Sequence, residues 1–247
     1  MKNKVTISLF LIILIHLSSS CTPIVEQTTL SNTEYEYQIE NDIIKITHHR
    51  SDFGETKIVV PVEIDGKPVA VLGAETFYQH KNIVSVILPQ TLTTILGSPF
   101  YRCYALQECN IPANVRQIDA NPFFRCSSLT QITVDSSNAY FSAVEGVLFD
   151  KGQTTLISYP EGKTNEKYVI PKTVKKLSID SFGYHTKLKE ITILSNVIDF
   201  PDGNMFIYPD DIKLIVESGS AAEQYAKKQN LNYETVLQSG PNQGTVL

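Results

Sequence analysis

The chain has 247 residues, 42% of them apolar, and a formal net charge of −5, enough to bury one sizeable core or an elongated array of repeats. Trp is absent, Gly and Pro stand at 12 each and Cys at 4, a balance that excludes collagen, low-complexity disorder and a disulfide scaffold. An acidic chain without Lys/Arg clusters has no electrostatic footprint for nucleic acid, so that class of partner is set aside.

The first twenty residues differ in kind from the rest. Lys2 and Lys4 make a positive start, and Val5 to Leu17 form an apolar run that ends in Ser18-Ser19-Ser20-Cys21. That run is too short to span a bilayer and has the layout of a secretory leader. A small-residue stretch ending directly on Cys resembles a bacterial lipobox, although Ser18 stands where the motif usually has an aliphatic residue. The resemblance implies that Cys21 is acylated and becomes the mature N-terminus; the alternative is an ordinary secretory signal cleaved nearby. Either way the mature chain leaves the cytoplasm. Without residues 1–20 it carries 26 acidic against 19 basic residues, so attachment to a membrane would come from the acyl chains and not from charge. The expected location is the cell envelope, at the outer membrane or cell surface in preference to the periplasmic face.

Residues 21–34 are polar and read as a tether. From 35 to 68 the pattern is β: Tyr35 to Glu40 and Ile43 to Thr47 alternate around Asn41-Asp42, and Lys57 to Val60 precedes an Asp65-Gly66 turn. These strands are expected to cap the repeats that begin at Val69.

From Val69 the sequence repeats with a period of about 23 residues, with copies beginning at Val69, Leu92, Val115 and Val174. Three positions into each copy is an aliphatic (Leu72, Ile95, Ile118, Leu177), and eight positions in is a Phe (Phe77, Phe100, Phe123, Phe182). Each copy closes on Leu-x-x-Leu-x-Leu spacing, as Ile83/Val86/Leu88, Leu106/Cys109/Ile111, Leu129/Ile132/Val134 and Leu188/Ile191/Ile193. The last two apolar positions lie two apart, so they share one face of a short strand while the residues between them face the other way. Pro89 and Pro112 end two of these strands. One unit cannot bury its face alone, so neighbouring coils must stack.

Val115-Arg-Gln-Ile118, Phe123, Cys126 and Leu129-Thr-Gln-Ile132-Thr-Val134 resemble the BspA-like class of leucine-rich repeats, and the resemblance covers roughly residues 35–235. It implies an α/β repeat fold: a right-handed leucine-rich-repeat solenoid over 69–216, with a parallel sheet on one side, short helical or irregular turns on the other, a β-hairpin N-terminal cap and a helical C-terminal cap.

Between Val134 and Val174 the period breaks. Tyr140 to Phe149 reads as a hairpin turning near Glu145-Gly146, and Thr155 to Pro160 and Tyr168 to Pro171 both look like the ends of repeat strands. Residues 135–171 are therefore expected to be a modified part of the solenoid. Ile212 to Val216 is a last strand, and Ser220 caps a helix through Lys228 with Glu223 at capping-box spacing. Residues 217–235 should close the far end, leaving 236–247 as a tail.

No catalytic motif is present: there is no Gly-x-Ser-x-Gly, P-loop, dinucleotide fingerprint or His-Glu-x-x-His. No catalytic residue, cofactor or metal is expected. Eleven positions into each copy stand His80, Cys103, Cys126 and His185, all zinc-binding types. A straight ladder of ligands does not make a tetrahedron, so the column reads as a buried small-residue ladder, with a Cys103–Cys126 disulfide as the lesser alternative. Cys109 reads as a core thiol. His48 and His49 come after the first hairpin with no acidic or Cys partner at a fixed spacing, and read as solvated loop residues.

The outward face of the repeat strands is where such a solenoid binds, because its side chains vary while the inward columns hold the fold. Those positions are Ser85, Ile87, Glu108, Asn110, Gln131, Thr133, Glu190 and Thr192. A second stripe, Tyr78, Tyr101 and Phe124, either anchors a protein or glycan partner or packs on the neighbouring turn. The resemblance implies a binding module for protein–protein interaction, adhesive toward host or neighbouring-cell surface or matrix; a periplasmic or envelope scaffold is the alternative.

Overall fold

The computed structural model describes residues 30–31, 34–50, 54–184, 187–194, 197–203, 205–206 and 212–237. The expected leader and its acylation site Cys21, most of the tether, His185 and the end of the expected tail lie outside the described residues. The strands before the repeats are β1 (Leu30–Ser31), β2 (Tyr35–Glu40), β3 (Ile43–His49), β4 (Lys57–Val59), β5 (Glu63–Ile64) and β6 (Lys67–Leu72). The regular repeats carry β7 (Ser85–Ile87), β8 (Thr94–Ile95), β9 (Glu108–Ile111), β10 (Gln117–Ile118) and β11 (Gln131–Val134). Then come β12 (Phe141–Val144), β13 (Val147–Asp150), β14 (Thr155–Ser158), β15 (Lys167–Val169), β16 (Lys176–Leu177), β17 (Glu190–Ile193), β18 (Lys213–Glu217), the helix α1 (Ala221–Lys228) and β19 (Tyr233–Val236).

Each coil contributes two strands, and not the single strand expected at its end. The aliphatic pair at the start of the repeat also forms a parallel ladder, β3-β6-β8-β10, with Leu72 beside Ile95 and Ile95 beside Ile118. The strand at the repeat's end forms a second parallel ladder, β4-β7-β9-β11. Val86, Cys109 and Ile132 turn inward from this second ladder and are buried. Between the ladders the repeat phenylalanines stack ring on ring: Phe77 to Phe100 at 5.2 Å and Phe100 to Phe123 at 5.3 Å between centroids, with planes 8° and 14° apart. In the regular repeats the connecting turns are irregular, with no helix among them. One position per coil, two after the Phe, is left-handed in the regular repeats: Gln79, Arg102 and Arg125 have φ of 60°, 64° and 62°.

The hairpin at Asn41-Asp42 forms as expected, both central residues having positive φ as a tight strand reversal requires. The solenoid ladders begin earlier than Val69, however. β3 pairs parallel with β6, and β4 pairs parallel with β7. Ile58-Val59-Val60-Pro61 is thus a repeat-end strand in its own right, spaced like Val86-Ile87-Leu88-Pro89.

The hairpin at Glu145 (φ 51°) and Gly146 (φ 80°) also forms, as β12 against β13. Its base is held by buried Asn138, whose Nδ2 donates to the carbonyls of Pro112 and Val115 and whose Oδ1 accepts from the amides of Tyr140 and Phe141. Its tip lies on β11, where the amide of Ile132 donates to Gly146 O at 2.9 Å. β14 is not a repeat-end strand as expected; it pairs parallel with β16 and so belongs to the start of a coil. Tyr159, one full period before Phe182, takes the Phe position there and stacks on Phe182 at 5.5 Å. Tyr168 does lie in a repeat-end strand, β15 beside β17. The inserted hairpin divides the repeat-end ladder, so β15-β17-β18-β19 is a sheet separate from β4-β7-β9-β11.

At the far end Ser220 caps α1 as expected, its Oγ accepting from the Glu223 amide at 3.2 Å. The Glu223 carboxylate accepts from Gly219 N, one residue earlier than a standard capping box. The helix is not the closing element: β19 comes after it and adds to β18 in parallel. Tyr233-Glu-Thr-Val is too short a run to stand out by periodicity alone.

Candidate functional site

The outward side chains of β4, β7, β9 and β11 form the surface that the repeat pattern points to. Register places Lys57, Ser85, Glu108 and Gln131 in one row across the four strands. Val59 lies beside Ile87, and Asn110 beside Thr133, in the next row. Neighbouring polar groups bond to each other: Gln131 Nε2 donates to Glu108 Oε2 at 2.9 Å, and Thr133 Oγ1 donates to Asn110 Oδ1 at 2.9 Å. At the β4 side the face is apolar, with Val59 61% and Ile87 48% exposed. A shallow pocket of about 380 Å³ lies on this face, lined by Lys57, Ser85, Ile87, Glu108, Asn110 and Thr133 among others. Five of the expected binding positions thus converge, and Gln131 is bonded to one of them. Lys57 and Val59 join them without having stood out in the sequence; the signal that finds them is the Ile58-x-Val60-Pro61 spacing.

Glu190 and Thr192 do not join this surface. They lie on β17, in the other sheet, where Glu190 pairs with Lys167 at 3.1 Å in a row that continues through Lys213 to Glu234. An unbroken period would have kept them in line; the hairpin between β11 and β14 separates them.

The stripe of Tyr78, Tyr101 and Phe124 is half-buried and packed on itself. Centroids are 5.4 Å apart for Tyr78–Tyr101 and 5.5 Å for Tyr101–Phe124. Each ring therefore rests on the neighbouring coil, and Tyr101 has a ring on both faces. The Arg102 guanidinium approaches Tyr101 to 5.1 Å, and Gln79 Nε2 donates to the Tyr78 hydroxyl at 2.8 Å.

Cys103, Cys109 and Cys126 are free buried thiols, so the disulfide alternative is not realised. Cys103 Sγ donates to Phe77 O at 3.0 Å and Cys126 Sγ to Phe100 O at 3.1 Å, tying each thiol to the coil before it. Burial pushes Cys103 and Cys109 up to about 12 and Cys126 well above its ordinary value, which leaves them as inert core thiols.

His80 does something different at the head of that column. Its Nδ1 donates to Tyr78 O at 3.2 Å, since a carbonyl can only accept, so Nε2 is left to accept from His49 Nδ1 at 2.9 Å. Burial holds the His80 pKa below its ordinary value. His49 is not a solvated loop residue: it is 3% exposed, ends β3 and occupies the Phe position of the first coil. Its amide donates to Thr76 O just as that of Phe77 donates to Pro99 O, and its ring lies 5.5 Å from Phe77. Its Nε2 is 3.7 Å from Glu55. His48 stays near the surface, 6.4 Å from His80 between centroids. These groups border a pocket of about 590 Å³. Among the described residues no three His, Cys, Asp or Glu groups are arranged to hold a metal ion.

The family comparison agrees with this architecture. The model of the BspA type leucine-rich repeat region matches residues 49–165 and 159–208, in six copies. Among solved structures, a leucine-rich repeat protein from Eubacterium ventriosum is 20% identical with a TM-score of 0.45, over 76% of this chain and 65% of that one. This chain thus spans just under two-thirds of that protein's length. The pneumococcal vaccine antigen PcpA is 13% identical over 85% of this chain and 99% of its own, with a TM-score of 0.45. A leucine-rich repeat protein of T. pallidum is 16% identical over 85% and 100%, with a TM-score of 0.39. No curated protein matches the sequence. With well over half its length matched, the chain belongs to the BspA-type leucine-rich-repeat family.

Proposed function

We propose that this protein is a lipid-anchored, extracytoplasmic binding module, a right-handed solenoid that uses the β4-β7-β9-β11 face to adhere to a protein on another cell or in the matrix. The observation that carries the reading is the face itself: a broad row of outward polar groups bordered by exposed Val59 and Ile87, presented by a scaffold whose core does not depend on them. An interface buries such apolar side chains together with the polar groups beside them. Delivery to that location rests on the leader and Cys21.

Cys21→Ser is expected to remove the anchor, moving the protein from the membrane fraction of lysed cells into the soluble fraction, with metabolic palmitate labelling lost. Protease treatment of intact cells should digest the wild-type protein. Full protection would overturn the adhesive reading and leave a periplasmic scaffold. For a surface partner captured on whole cells, Ile87→Asp places a charge in the exposed apolar patch and should weaken binding at least tenfold, about 1.4 kcal/mol. Thr192→Asp, in the other sheet, should leave it unchanged.

A further inference from the structure

After each of β7, β9 and β11 the chain makes a short turn, and these three successive turns line a pocket of about 390 Å³, the volume of a small-ligand site. Thr91, Asn114 and Ser137 line it at one position of the 23-residue repeat, and Thr93, Arg116 and Ala139 at another. Tyr140, the residue before β12, borders it where the inserted hairpin begins. Tyr140 is 52% exposed, and among the described residues its ring stacks on no other ring and its hydroxyl has no hydrogen-bond partner. Arg116 is also exposed: its amide donates to Thr93 O at 2.9 Å, while its guanidinium has neither an ion pair nor a hydrogen bond among the described residues.

The other lining groups have their hydrogens committed within the fold. Thr91 Oγ1 donates to Val69 O at 2.7 Å, Thr93 Oγ1 to Ala70 O at 3.2 Å and Ser137 Oγ to Asp135 Oδ1 at 2.6 Å. A hydroxyl has one hydrogen, so what these three can still offer a ligand is lone pairs. Asn114 Nδ2 donates to Gln90 O at 2.7 Å, which leaves its Oδ1 as a further acceptor. The pocket thus combines one unpaired cation, one exposed aromatic ring and several acceptors. Its complement is a molecule with a carboxylate, a C–H face and several hydrogen-bond donors. An acidic peptide supplies the carboxylate but one backbone N–H per residue, whereas an acidic sugar carries hydroxyls around a ring. We propose that the pocket takes one acidic pyranose of a glycan, its carboxylate held by Arg116, its ring face on Tyr140 and its hydroxyls donating to Thr91, Thr93 and Ser137. The pocket shares no lining residue with the one on the β4-β7-β9-β11 face, so its failure leaves the protein-binding reading untouched, and the reverse.

The test is saturation-transfer NMR of the purified protein, titrated to obtain affinities, with the methyl glycosides of glucuronic, galacturonic and N-acetylneuraminic acids beside methyl glucoside, methyl galactoside and N-acetylaspartate N-methylamide. At least one acidic sugar should bind, with saturation strongest on the protons of one ring face, and about tenfold more tightly than the neutral sugars. Arg116→Gln should abolish that preference, and Tyr140→Ala should weaken binding about threefold. Both side chains are exposed, so neither change should disturb the fold, and Arg102→Gln, on the opposite turn of the coil, should leave binding unchanged. Silence from all three acidic sugars overturns the proposal, as does a preference that survives Arg116→Gln. Equally tight binding of the aspartate derivative overturns it too and makes the pocket a site for acidic peptides.

Discussion

Phe100→Ala is expected to lower the stability of the solenoid by about 4 kcal/mol, within the roughly 3–5 kcal/mol range for deleting a buried aromatic ring. Phe100 is fully buried, with Phe77 and Phe123 stacked on its two faces at 5.2 and 5.3 Å. The cavity left behind has little means of closing. The spacing of the three coils is set by backbone bonds on both sides of the ring: Phe77 N to Pro99 O at 2.8 Å and Phe100 N to Pro122 O at 3.2 Å. Those bonds would have to lengthen for the neighbouring rings to approach each other. Urea denaturation followed by circular dichroism checks the value. A loss below about 1.5 kcal/mol, well under the usual range for such a deletion, would show that the stack is not what couples these coils. Because a repeat array is stabilised by nearest-neighbour interfaces, the variant should also broaden the transition as the two ends unfold more independently.

The parts of this fold that were legible in the sequence are those where the period holds. Five apolar columns recurring once per period marked out the coils, the Phe stack and the outward positions from Ser85 to Thr133. The two tight turns at Asn41-Asp42 and Glu145-Gly146 were legible because few residue pairs accept positive φ at both positions. What escaped was chemistry substituted into a column. Tyr159 and His49 occupy the Phe position, and neither looks like a Phe in a pattern search; His49 looks instead like a loop histidine. The second ladder escaped because two-residue strands such as Thr94–Ile95 are fixed by coil-on-coil stacking and not by any local alternation. The site was half legible for the same reason. Spacing identifies which side chains face outward, but the extra residues between Phe123 and Tyr159 do not say whether they will extend a sheet or interrupt it.

The interruption has a cost that one side chain absorbs, and its pH dependence is the second large effect. In the regular coils the amide two residues after the Phe donates to the next coil: Gln79 N to Tyr101 O at 2.9 Å and Arg102 N to Phe124 O at 3.1 Å. At Arg125 the next coil has been displaced by the insertion, and Glu161 Oε1 accepts that amide instead at 2.8 Å. The same oxygen accepts from Tyr184 N at 3.0 Å, so a single carboxylate stitches the coils on either side together. Gly183 permits this approach, since a Cβ there would overlap Glu161 Oε1.

Glu161 is 5% exposed and its Oε2 has no hydrogen-bond partner among the described residues, so burial pushes its pKa up to about 7 from an ordinary 4.5, against the two amides that favour the charged form. The folded protein thus binds this proton more tightly than the unfolded chain does. Stability from this group is complete below about pH 4.5 and is lost as pH rises to about 7, by an amount on the order of 3 kcal/mol. Glu161→Gln keeps an acceptor oxygen and cannot ionise. It should match the wild type near pH 4.5 and exceed it by about 1–3 kcal/mol at pH 8, the difference growing from about pH 4.5 and levelling off near 7. Glu161→Ala leaves the buried amides of Arg125 and Tyr184 without an acceptor and should be destabilised at both pH values by about 2 kcal/mol. Denaturation of the three proteins at pH 5 and pH 8 separates these effects, because every other titrating group is common to all of them. A wild type that gains stability over the Gln variant as pH rises would mean that the two amide bonds outweigh burial, with the carboxylate charged in the fold throughout.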